Sequence, residues 1–312
     1  MRQLSNPHAT PEAVRLYEYL CSLKGKACLT GQMESGWRGT FEGEMNHLQE
    51  QTGCLPAIRG LDFIANDFDG VARRAIDWHA RGGIVTVCWH TGPDFASSYR
   101  QSQEDELDWA NALTPGTAAH EALLRGMDRA VPSLRKLLEH RIPVLWRPFH
   151  EFDGKWFWWG RGGADGFIRL WRLMYDRYTR VHGLNNLIWV LGYSDAPGEL
   201  APWYPGDDVV DILGGDSYKG GAQGDLYRKC AAIAPAGMPI CYHENGEIPT
   251  RAQMAQENAP WVWFMTWHTR WITSAEYNPP DRLREVFQDD FFVKLHQVPE
   301  DVAGKGRTPP DR

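Results

Sequence analysis

Residues 143–160, PVLWRPFHEFDGKWFWWG, hold the clearest structural signal in the chain. The stretch opens on a short apolar run, Pro143-Val144-Leu145-Trp146, of the kind found in strands that are buried on both faces of a parallel sheet. The run gives way at once to polar residues, among them Arg147 and Glu151. In α/β barrels the reactive groups lie at the carboxyl ends of such strands. The stretch therefore predicts a buried parallel strand with functional side chains at its exit.

Seven further apolar runs of this kind are spread along the chain. They are Ala27–Gly31, Leu55–Gly60, Gly83–Trp89, Leu187–Leu191, Val209–Leu213, Met238–Tyr242 and Trp261–Met265. Amphipathic stretches of helical period separate them, as in the stripe from Leu123 to Leu138. Eight strands that alternate with helices without a linker predict a single (β/α)8 TIM barrel. A doubly wound sheet is the alternative, but Gly31-Gln32-Met33-Glu34 is not the glycine-rich turn that fold usually shows after its first strand.

The predicted barrel domain spans residues 1–296. It includes an extra N-terminal helix over residues 5–24, with a start signal at Thr10-Pro11-Glu12. Residues 297–312 are polar and rich in Pro and Gly, which predicts a disordered tail. The segment from His90 to Gly116 is too long for a plain connector, and we expect it to wall an active site or a cleft.

The charge balance restricts the classes of partner. The 312 residues carry 33 basic and 40 acidic side chains, and Arg73-Arg74 is the longest basic run, which argues against nucleic acid or an anionic membrane surface. No apolar stretch approaches the roughly 20 residues that span a bilayer. The first six residues lack the apolar core of a secretion signal, so the sequence as it stands predicts a cytoplasmic protein. A secreted chain whose signal had been removed would look the same, and no feature predicts an oligomeric state.

Tryptophan and cysteine are the two informative residue types. Fifteen Trp residues are a large number for a chain of this length, and a buried Trp needs a partner for its N–H group. Such a surplus suggests flat apolar surfaces, which commonly bind sugar rings. The six Cys residues show no C-x-x-C pair and no zinc-like spacing, which predicts free thiols in a reducing compartment.

Two glutamates, Glu151 and Glu244, stand out among the residues at the predicted strand exits. Each directly follows a strand, the fourth and the seventh, and each is preceded by a histidine. A pair of carboxyl groups suits glycosidic bond cleavage, because one protonates the leaving oxygen while the other attacks the anomeric carbon. A separation of about 5–5.5 Å between them would give retention of configuration. The alternative is that both form scaffold ion pairs with Arg147 or His residues, which would leave the aromatic context unexplained.

A barrel metal site is a further alternative. His90, His150, His243 and His268 all lie at predicted strand exits. Metal-dependent amidohydrolase barrels usually carry H-x-H after the first strand, where this chain has Thr30-Gly31-Gln32. We therefore expect no catalytic metal, and no cofactor, because carboxyl groups suffice for proton transfer and covalent catalysis.

Residues 147–160 resemble the fourth-strand signature of glycoside hydrolase family 26, the β-mannanase family of clan A. That signature, R-P-x-H-E followed by G-x-W-F-W-W-G, is complete here. The resemblance extends over residues 12–296 through Trp89-His90, Gly214-x-Asp216-x-Tyr218, Glu244-Asn245-Gly246 and Thr266-Trp267. It implies a retaining glycosidase whose partner is a β-1,4-mannan, glucomannan or galactomannan chain or its oligosaccharides. The same mechanism on β-1,3-xylan or mixed-linkage β-glucan, and a non-catalytic carbohydrate-binding barrel, stay open as alternatives.

The resemblance also implies roles for individual residues. Glu151 would be the general acid/base, Glu244 the nucleophile, and Tyr218 a hydrogen-bond donor to that nucleophile. The residues implied to bind substrate are His90, His150, Trp156, Tyr218, Trp267, Asp216 and Arg147. His90 and His150 would contact the sugar in the subsite before the cleaved bond, and Trp267 would form a stacking floor. Asn245 departs from the aromatic or aliphatic residue usual in that position, which bears on the surroundings of the nucleophile and on the substrate.

Five other residues have two interpretations each. Trp37 and Trp109 lie in long loops and serve either as outer sugar platforms or as rim packing. Asp62 and Asp67 either contact sugar hydroxyl groups or act as turn and cap residues. His243 is expected to be a buried residue behind the site rather than a group that contacts substrate.

Overall fold

The computed structural model describes residues 2–303 as a closed barrel of eight parallel strands with helices around it. The barrel strands are β1 (Gly31–Met33), β2 (Ile58–Asp62), β3 (Ile84–Cys88), β4 (Val144–Trp146), β5 (Leu187–Ser194), β6 (Ile212–Ser217), β7 (Ile240–Asn245) and β8 (Phe264–Thr266). Neighbouring strands pair in chain order, and β8 closes on β1 where Thr266 pairs with Gln32. The predicted (β/α)8 barrel is confirmed, and the doubly wound alternative is wrong.

Helices of four to thirteen residues connect the strands. The α-helices within residues 2–303 are α1 (Pro11–Leu23), α2 (Gly43–Thr52), α3 (Phe68–Ala80), α4 (Tyr99–Glu104), α5 (Trp109–Ala112), α6 (Ala118–Met127), α7 (Val131–Glu139), α8 (Trp158–Arg161), α9 (Gly163–Tyr175), α10 (Gly224–Ile233), α11 (Arg251–Gln256), α12 (Arg270–Thr273) and α13 (Pro280–Gln288). Their buried sides cover the barrel, as with Ala72, Ala75 and Trp78 of α3. None of these helices is long and apolar enough to cross a membrane.

The N-terminal helix α1 is shorter than the predicted 5–24 span. Thr10 caps it by accepting a hydrogen bond from the Ala13 N–H, and the helix begins at Pro11, whose missing N–H costs nothing at that position. Leu16 and Leu20 of α1 belong to the same apolar cluster as the side chains that fill the barrel interior, such as Leu145. The helix therefore extends the core of the barrel.

The first barrel strand also differs from its predicted position. Residues Cys28–Leu29, which the sequence placed in that strand, pair instead with Phe292–Val293 in a separate two-stranded sheet. The barrel strand starts at Gly31, where a side chain would lie 2.4 Å from the carbonyl oxygen of Phe264. The glycine thus permits the close approach of the chain to β8.

Residues 298–303, the first part of the segment predicted to be disordered, pack against the barrel. Val298, Val302 and Ala303 are buried in the cluster that contains α1, and Arg15 donates to the carbonyl oxygen of Asp301 at 3.2 Å. Burial of these apolar side chains stabilises the segment. The prediction rested on the composition of residues 297–312 as a whole, which is polar, and so did not detect them. The rest of the predicted tail, 304–312, lies outside the described residues.

Candidate active site

A cavity of about 640 Å³ opens at the carboxyl ends of the barrel strands. The predicted site residues that line it are His90, His150, Glu151, Trp156, Tyr218, Glu244 and Trp267. Tyr99 and Gln103, from the long segment that follows β3, line the cavity as well. The strand exits thus bring the two glutamates and the aromatic residues into one cleft, as the (β/α)8 architecture predicts.

Glu151 lies on an unusual stretch of backbone just after β4. Its φ is +53° and that of Phe149 is +55°, values in the left-handed region that side chains other than glycine seldom adopt. The Glu151 N–H donates to the carbonyl oxygen of Gly192 at 2.8 Å, and the ring of Phe152 stacks on Phe167 at 3.7 Å. These contacts hold the strained turn, and strain of this kind concentrates at functional sites.

Burial raises the pKa of Glu151 to about 8, and the negative charge of Glu244 adds to the effect. A hydrogen bond from the Trp156 indole N–H to Oε2, 2.7 Å long, acts in the opposite direction. The carboxyl group of Glu151 is therefore protonated at neutral pH and lines the cavity in that form.

Glu244 is surrounded by hydrogen-bond donors. Arg147 donates from Nη1 to Oε1 at 2.7 Å, and the Tyr218 hydroxyl donates to Oε2 at 2.8 Å. His150 Nε2 lies 3.5 Å from Oε1. The side chain of Glu244 is 2% exposed, so the guanidinium charge of Arg147 compensates a carboxylate that has almost no water around it. The two glutamates of the cavity thus have opposite electrostatic surroundings, because Glu151 faces a negative charge and Glu244 faces a positive one.

A β-bulge in β7 sets the direction of the Glu244 side chain. Opposite β6, Tyr242 pairs with Gly215 and Glu244 pairs with Asp216, so His243 is one extra residue on β7. A bulge of this type bends the strand and redirects the side chains that follow it. The local twist places Glu244 in the cavity while His243 stays beneath it.

Arg147 and Asp216 do not line the cavity, although both were predicted to bind substrate. Each is 1% exposed and lies below the cavity floor. Asp216 Oδ1 is 2.7 Å from Nδ1 of His243, and Arg147 Nη1 is 3.3 Å from the same nitrogen. The two residues support the site from behind, because their side chains point into the network under Glu244 rather than toward the opening.

The imidazoles of His150 and His243 are held neutral. Burial lowers the pKa of His150 and of His243 well below the usual value, and the charge of Arg147 contributes in both cases. For His150 the neighbouring His90 adds to the effect. As predicted, His243 is a buried residue that touches Asp216 and not the cavity.

Asp62 fixes the orientation of His90. Its Oδ2 lies 2.5 Å from the ring nitrogen Nδ1 of His90, and its Oδ1 accepts a hydrogen bond from the backbone N–H of His90 at 3.0 Å. Both oxygens are thereby engaged, although Asp62 borders the cavity. Asp67 caps α3 by accepting from the Gly70 N–H and pairs with Arg74, so its turn and cap interpretation is confirmed.

Two groups of side chains in residues 2–303 bring potential metal ligands within 4.8 Å of one another. They are Asp62 with Cys88 and His90, and His150 with Asp216 and Glu244. In the first group the Asp62 oxygens already bind His90. In the second, the guanidinium of Arg147 lies 2.7 Å from a Glu244 oxygen and would repel a divalent cation. Neither donor set suits a metal ion.

The prediction from sequence did not include several residues that line the cavity. Arg38, Tyr99, Gln103, Phe157 and Trp271 all contribute to its walls. They lie beyond the strand exits, in the connecting segments, where Tyr99 and Gln103 are on α4 and Trp271 is on α12. The signals in the sequence were the length of the segment after His90, the place of Phe157 in the aromatic stretch 147–160, and the spacing of Trp267 and Trp271. Trp37 lines the cavity, as one of its two interpretations proposed, whereas Trp109 packs against Trp158 in the rim.

Asn245 and Glu247, which follow Glu244, serve the scaffold. The buried Asn245 amide donates to Thr266 Oγ1 at 3.1 Å and to the carbonyl oxygen of Glu247 at 3.0 Å, so it ties β7 to β8 and does not line the cavity. Glu247 pairs with Arg282 at 2.6 Å. Of the glutamates on this segment, Glu244 is the one that reaches the cleft.

A family model for glycosyl hydrolase family 26 matches residues 5–296. The chain belongs to glycosyl hydrolase family 26. The family 26 assignment was predicted from residues 147–160, and the match confirms it.

A curated relative and two solved structures are similar to this chain over most of its length. A mannan endo-1,4-beta-mannosidase of Thermothelomyces thermophilus is 34% identical, with the alignment covering 95% of this chain and 63% of the relative. The structure of GH26A from a Muricauda species superposes with a TM-score of 0.86 at 36% identity, covering 94% of this chain and 99% of that one. A β-mannanase from a symbiotic protist of the termite Reticulitermes speratus, solved with a gluco-manno-oligosaccharide, gives a TM-score of 0.85 at 30% identity, covering 95% and 97%.

The curated relatives are longer than this chain. It spans 50–63% of the length of the mannan endo-1,4-beta-mannosidases that it matches from Thermothelomyces thermophilus and Piromyces. The part that matches is the family 26 barrel, which holds both glutamates and the whole cavity.

Proposed function

We propose that this family 26 chain is a retaining glycosidase that cleaves β-1,4-mannosidic bonds in mannan, glucomannan, galactomannan or their oligosaccharides. The observation that carries the proposal is the presence of two glutamates on one cavity in opposite electrostatic surroundings. Such a pair assigns the acid and the nucleophile of glycoside hydrolysis. The mannanase relatives support the class of substrate.

In the first step, Glu151 donates its proton to the glycosidic oxygen while a carboxylate oxygen of Glu244 attacks the anomeric carbon. The bond between that carbon and the leaving oxygen breaks, and a covalent glycosyl ester of Glu244 forms. Arg147 and Tyr218, which bind the two oxygens of Glu244, orient the carboxylate for attack.

In the second step, Glu151 acts as a base. Esterification removes the negative charge of Glu244, which is one of the causes of the raised pKa of Glu151, so the Glu151 pKa falls once the intermediate has formed. The resulting carboxylate takes a proton from a water molecule that attacks the anomeric carbon, and Glu244 leaves. Two successive inversions give a product of retained configuration.

Aromatic and imidazole groups provide the sugar contacts. His150 lies 3.5 Å from Glu244 and its ring contacts that of His90, and both imidazoles would hydrogen-bond the sugar in the subsite before the cleaved bond. Trp267 offers an indole ring on the same side, and Trp156, bound to Glu151 and 37% exposed, flanks the acid. Indole rings bind the apolar C–H face of a pyranose.

A substrate panel tests this function. We expect new reducing ends from β-1,4-mannan, glucomannan and mannohexaose, measured by a reducing-sugar assay and by chromatography of the products. Release of mannobiose alone would indicate exo action, and a mixture of lengths would indicate endo action. Activity on β-1,3-xylan or lichenan without activity on any mannan would show that the substrate is β-1,3-xylan or mixed-linkage β-glucan instead of mannan. Binding of mannan without turnover would indicate a carbohydrate-binding barrel.

The raised pKa of Glu151 predicts the alkaline limit of the reaction. Because the acid form dominates below about pH 8, kcat/KM on mannohexaose should be retained at neutral pH and fall as pH rises through the pKa of Glu151. The measurement is a profile of kcat/KM from pH 4 to pH 10. An alkaline limit two or more pH units below 8 would contradict the assignment of Glu151 as the acid.

A further inference from the structure

We infer that Trp37 and Arg38 form a second sugar subsite, on the same side of the cleft as His90 and beyond the sugar next to the cleaved bond. Together with Trp267 and His268 they make up one wall of the cavity, here named the Trp37 wall. The inference rests on the proposed function and specifies which part of a polysaccharide chain this wall recognises.

A series of ring contacts leads from Glu244 to Trp37. His150 lies 3.5 Å from Glu244, and each following ring touches the next. The centroid separations are 4.7 Å for His150–His90, 5.9 Å for His90–Trp267, 5.0 Å for Trp267–His268 and 4.8 Å for His268–Trp37. Because His90 and His150 adjoin the first sugar, the far end of the series reaches the sugars that follow it.

The side chains at this far end have the chemistry that a pyranose requires. Trp37 is half-buried against His268 and borders the cavity, so part of its indole is available to a sugar ring. Arg38 is exposed, borders the cavity, and its guanidinium has no hydrogen bond or ion pair within residues 2–303. A guanidinium offers several N–H donors in a fixed plane, which suits the neighbouring hydroxyl groups of a sugar.

His268 completes the polar part of the wall. Its burial, together with the charge of Arg38, lowers its pKa to about 4, so its imidazole is neutral at ordinary pH. A neutral imidazole both donates and accepts hydrogen bonds. The wall thus presents an aromatic ring, a cation that has no protein partner among the described residues, and a neutral hydrogen-bonding ring.

Buried carboxylates hold the two loops of the wall in place. Oε1 of Glu44 accepts from the hydroxyl of Ser35 at 2.5 Å and from the N–H of Thr269 at 3.0 Å, so one carboxylate joins the Trp37 loop to the His268 loop. Thr269 has a φ of +51° and a ψ of −125°, a strained conformation for a threonine. Strain of this kind persists only where surrounding contacts hold the backbone in place. Because the wall is already formed, its side chains and loops lose less conformational entropy when a sugar binds.

A second anchor lies beneath the Trp37 loop. The buried Glu34 accepts hydrogen bonds from Arg59 at 2.9 Å and from Arg74 at 2.8 Å. The guanidinium of Arg74 in turn lies 4.3 Å from the ring centre of Phe41, on the far side of the loop. The loop that carries Trp37 and Arg38 is therefore fixed from below as well as from the side.

Aryl β-mannosides with one common leaving group and glycones of one to four mannose units test the inference, since only the glycone side varies. We expect Trp37→Ala and Arg38→Ser each to lower kcat/KM at least about 10-fold on the longest glycone. On the shortest glycone that the unaltered protein cleaves, the change should stay within twofold. Trp37→Phe should restore most of the loss, because it keeps an aromatic ring. Arg73→Ser, an exposed arginine on α3 that does not line the cavity, is the matched control.

The outcomes separate the subsite from the proposed function. Equal losses on all glycones, or no loss on any, would overturn the subsite while the mannosidase activity stood. If the unaltered protein cleaved none of the mannosides, the proposed function would fail first, and the sugar subsite would fail with it.

Discussion

Replacement of Glu244 by Gln is expected to lower kcat/KM on mannohexaose by at least about 10⁴-fold, since an amide cannot form the glycosyl ester on which both steps depend. The substitution keeps the size of the side chain and its hydrogen bond to Tyr218. It removes the negative charge that compensates the buried Arg147, so thermal stability should fall as well. Activity and melting temperature should therefore be measured on the same preparation.

The matched control for this substitution is Glu247→Gln. Glu247 lies three residues further along the chain, pairs with Arg282 and is about one-quarter exposed. It should keep activity within a few-fold, because its carboxylate does not line the cavity. If a folded Glu244→Gln protein had activity close to that of the control, Glu244 would not be the nucleophile.

Replacement of Glu151 by Ala should produce a loss that depends on the leaving group. On mannan or mannohexaose, whose leaving alcohol needs a proton, we expect a decrease of about 10²–10⁴-fold. On an aryl mannoside with an acidic phenol the first step needs little protonation, so the glycosyl ester should form and then accumulate. Added azide should react with that ester in the space left by the carboxyl group and yield a β-mannosyl azide.

Asp153→Asn provides the comparison for Glu151→Ala. Asp153 is a second carboxyl group with a pKa raised by burial, to about 6, and it accepts from the Ser194 N–H at 2.8 Å in the scaffold. Any loss of activity in this variant should be the same for good and poor leaving groups. A leaving-group dependence in Asp153→Asn, or its absence in Glu151→Ala, would reverse the assignment of the acid.

The barrel was predictable because all eight strands are buried on both faces and most of them begin in a short apolar run. The strand ends were less predictable. β5 was predicted to end at Leu191, but its pairing continues to Ser194, which lies opposite Asp216 of β6. Tyr193 and Ser194 are buried and contact the segment after β4, where the Tyr193 ring packs on Phe152 and the Ser194 N–H donates to Asp153. A local sequence pattern does not predict such contacts.

The two glutamates could be located from the sequence because strand exits fix their positions. The direction of nearby side chains could not, since it depends on local twist. Asp216 and Arg147 both contact the buried His243 under Glu244 and so belong to the scaffold rather than the cleft. Arg38 and Trp271 were not predicted for a different reason. They lie in the segments that follow the strands, Arg38 in a short turn and Trp271 on α12. Contacts between distant residues, such as that of Glu44 with Thr269, determine the conformations of these segments.

Glu244 is expected to form a covalent bond to the sugar, and trapping of that intermediate tests its role most directly. A mannosyl donor with fluorine at C2 and an activated leaving group slows both steps, yet slows hydrolysis of the ester more than its formation. After incubation, proteolysis and mass spectrometry of the peptides should show one fluoromannosyl group, attached to Glu244. Attachment to another residue, or no adduct together with a product of inverted configuration, would contradict the account.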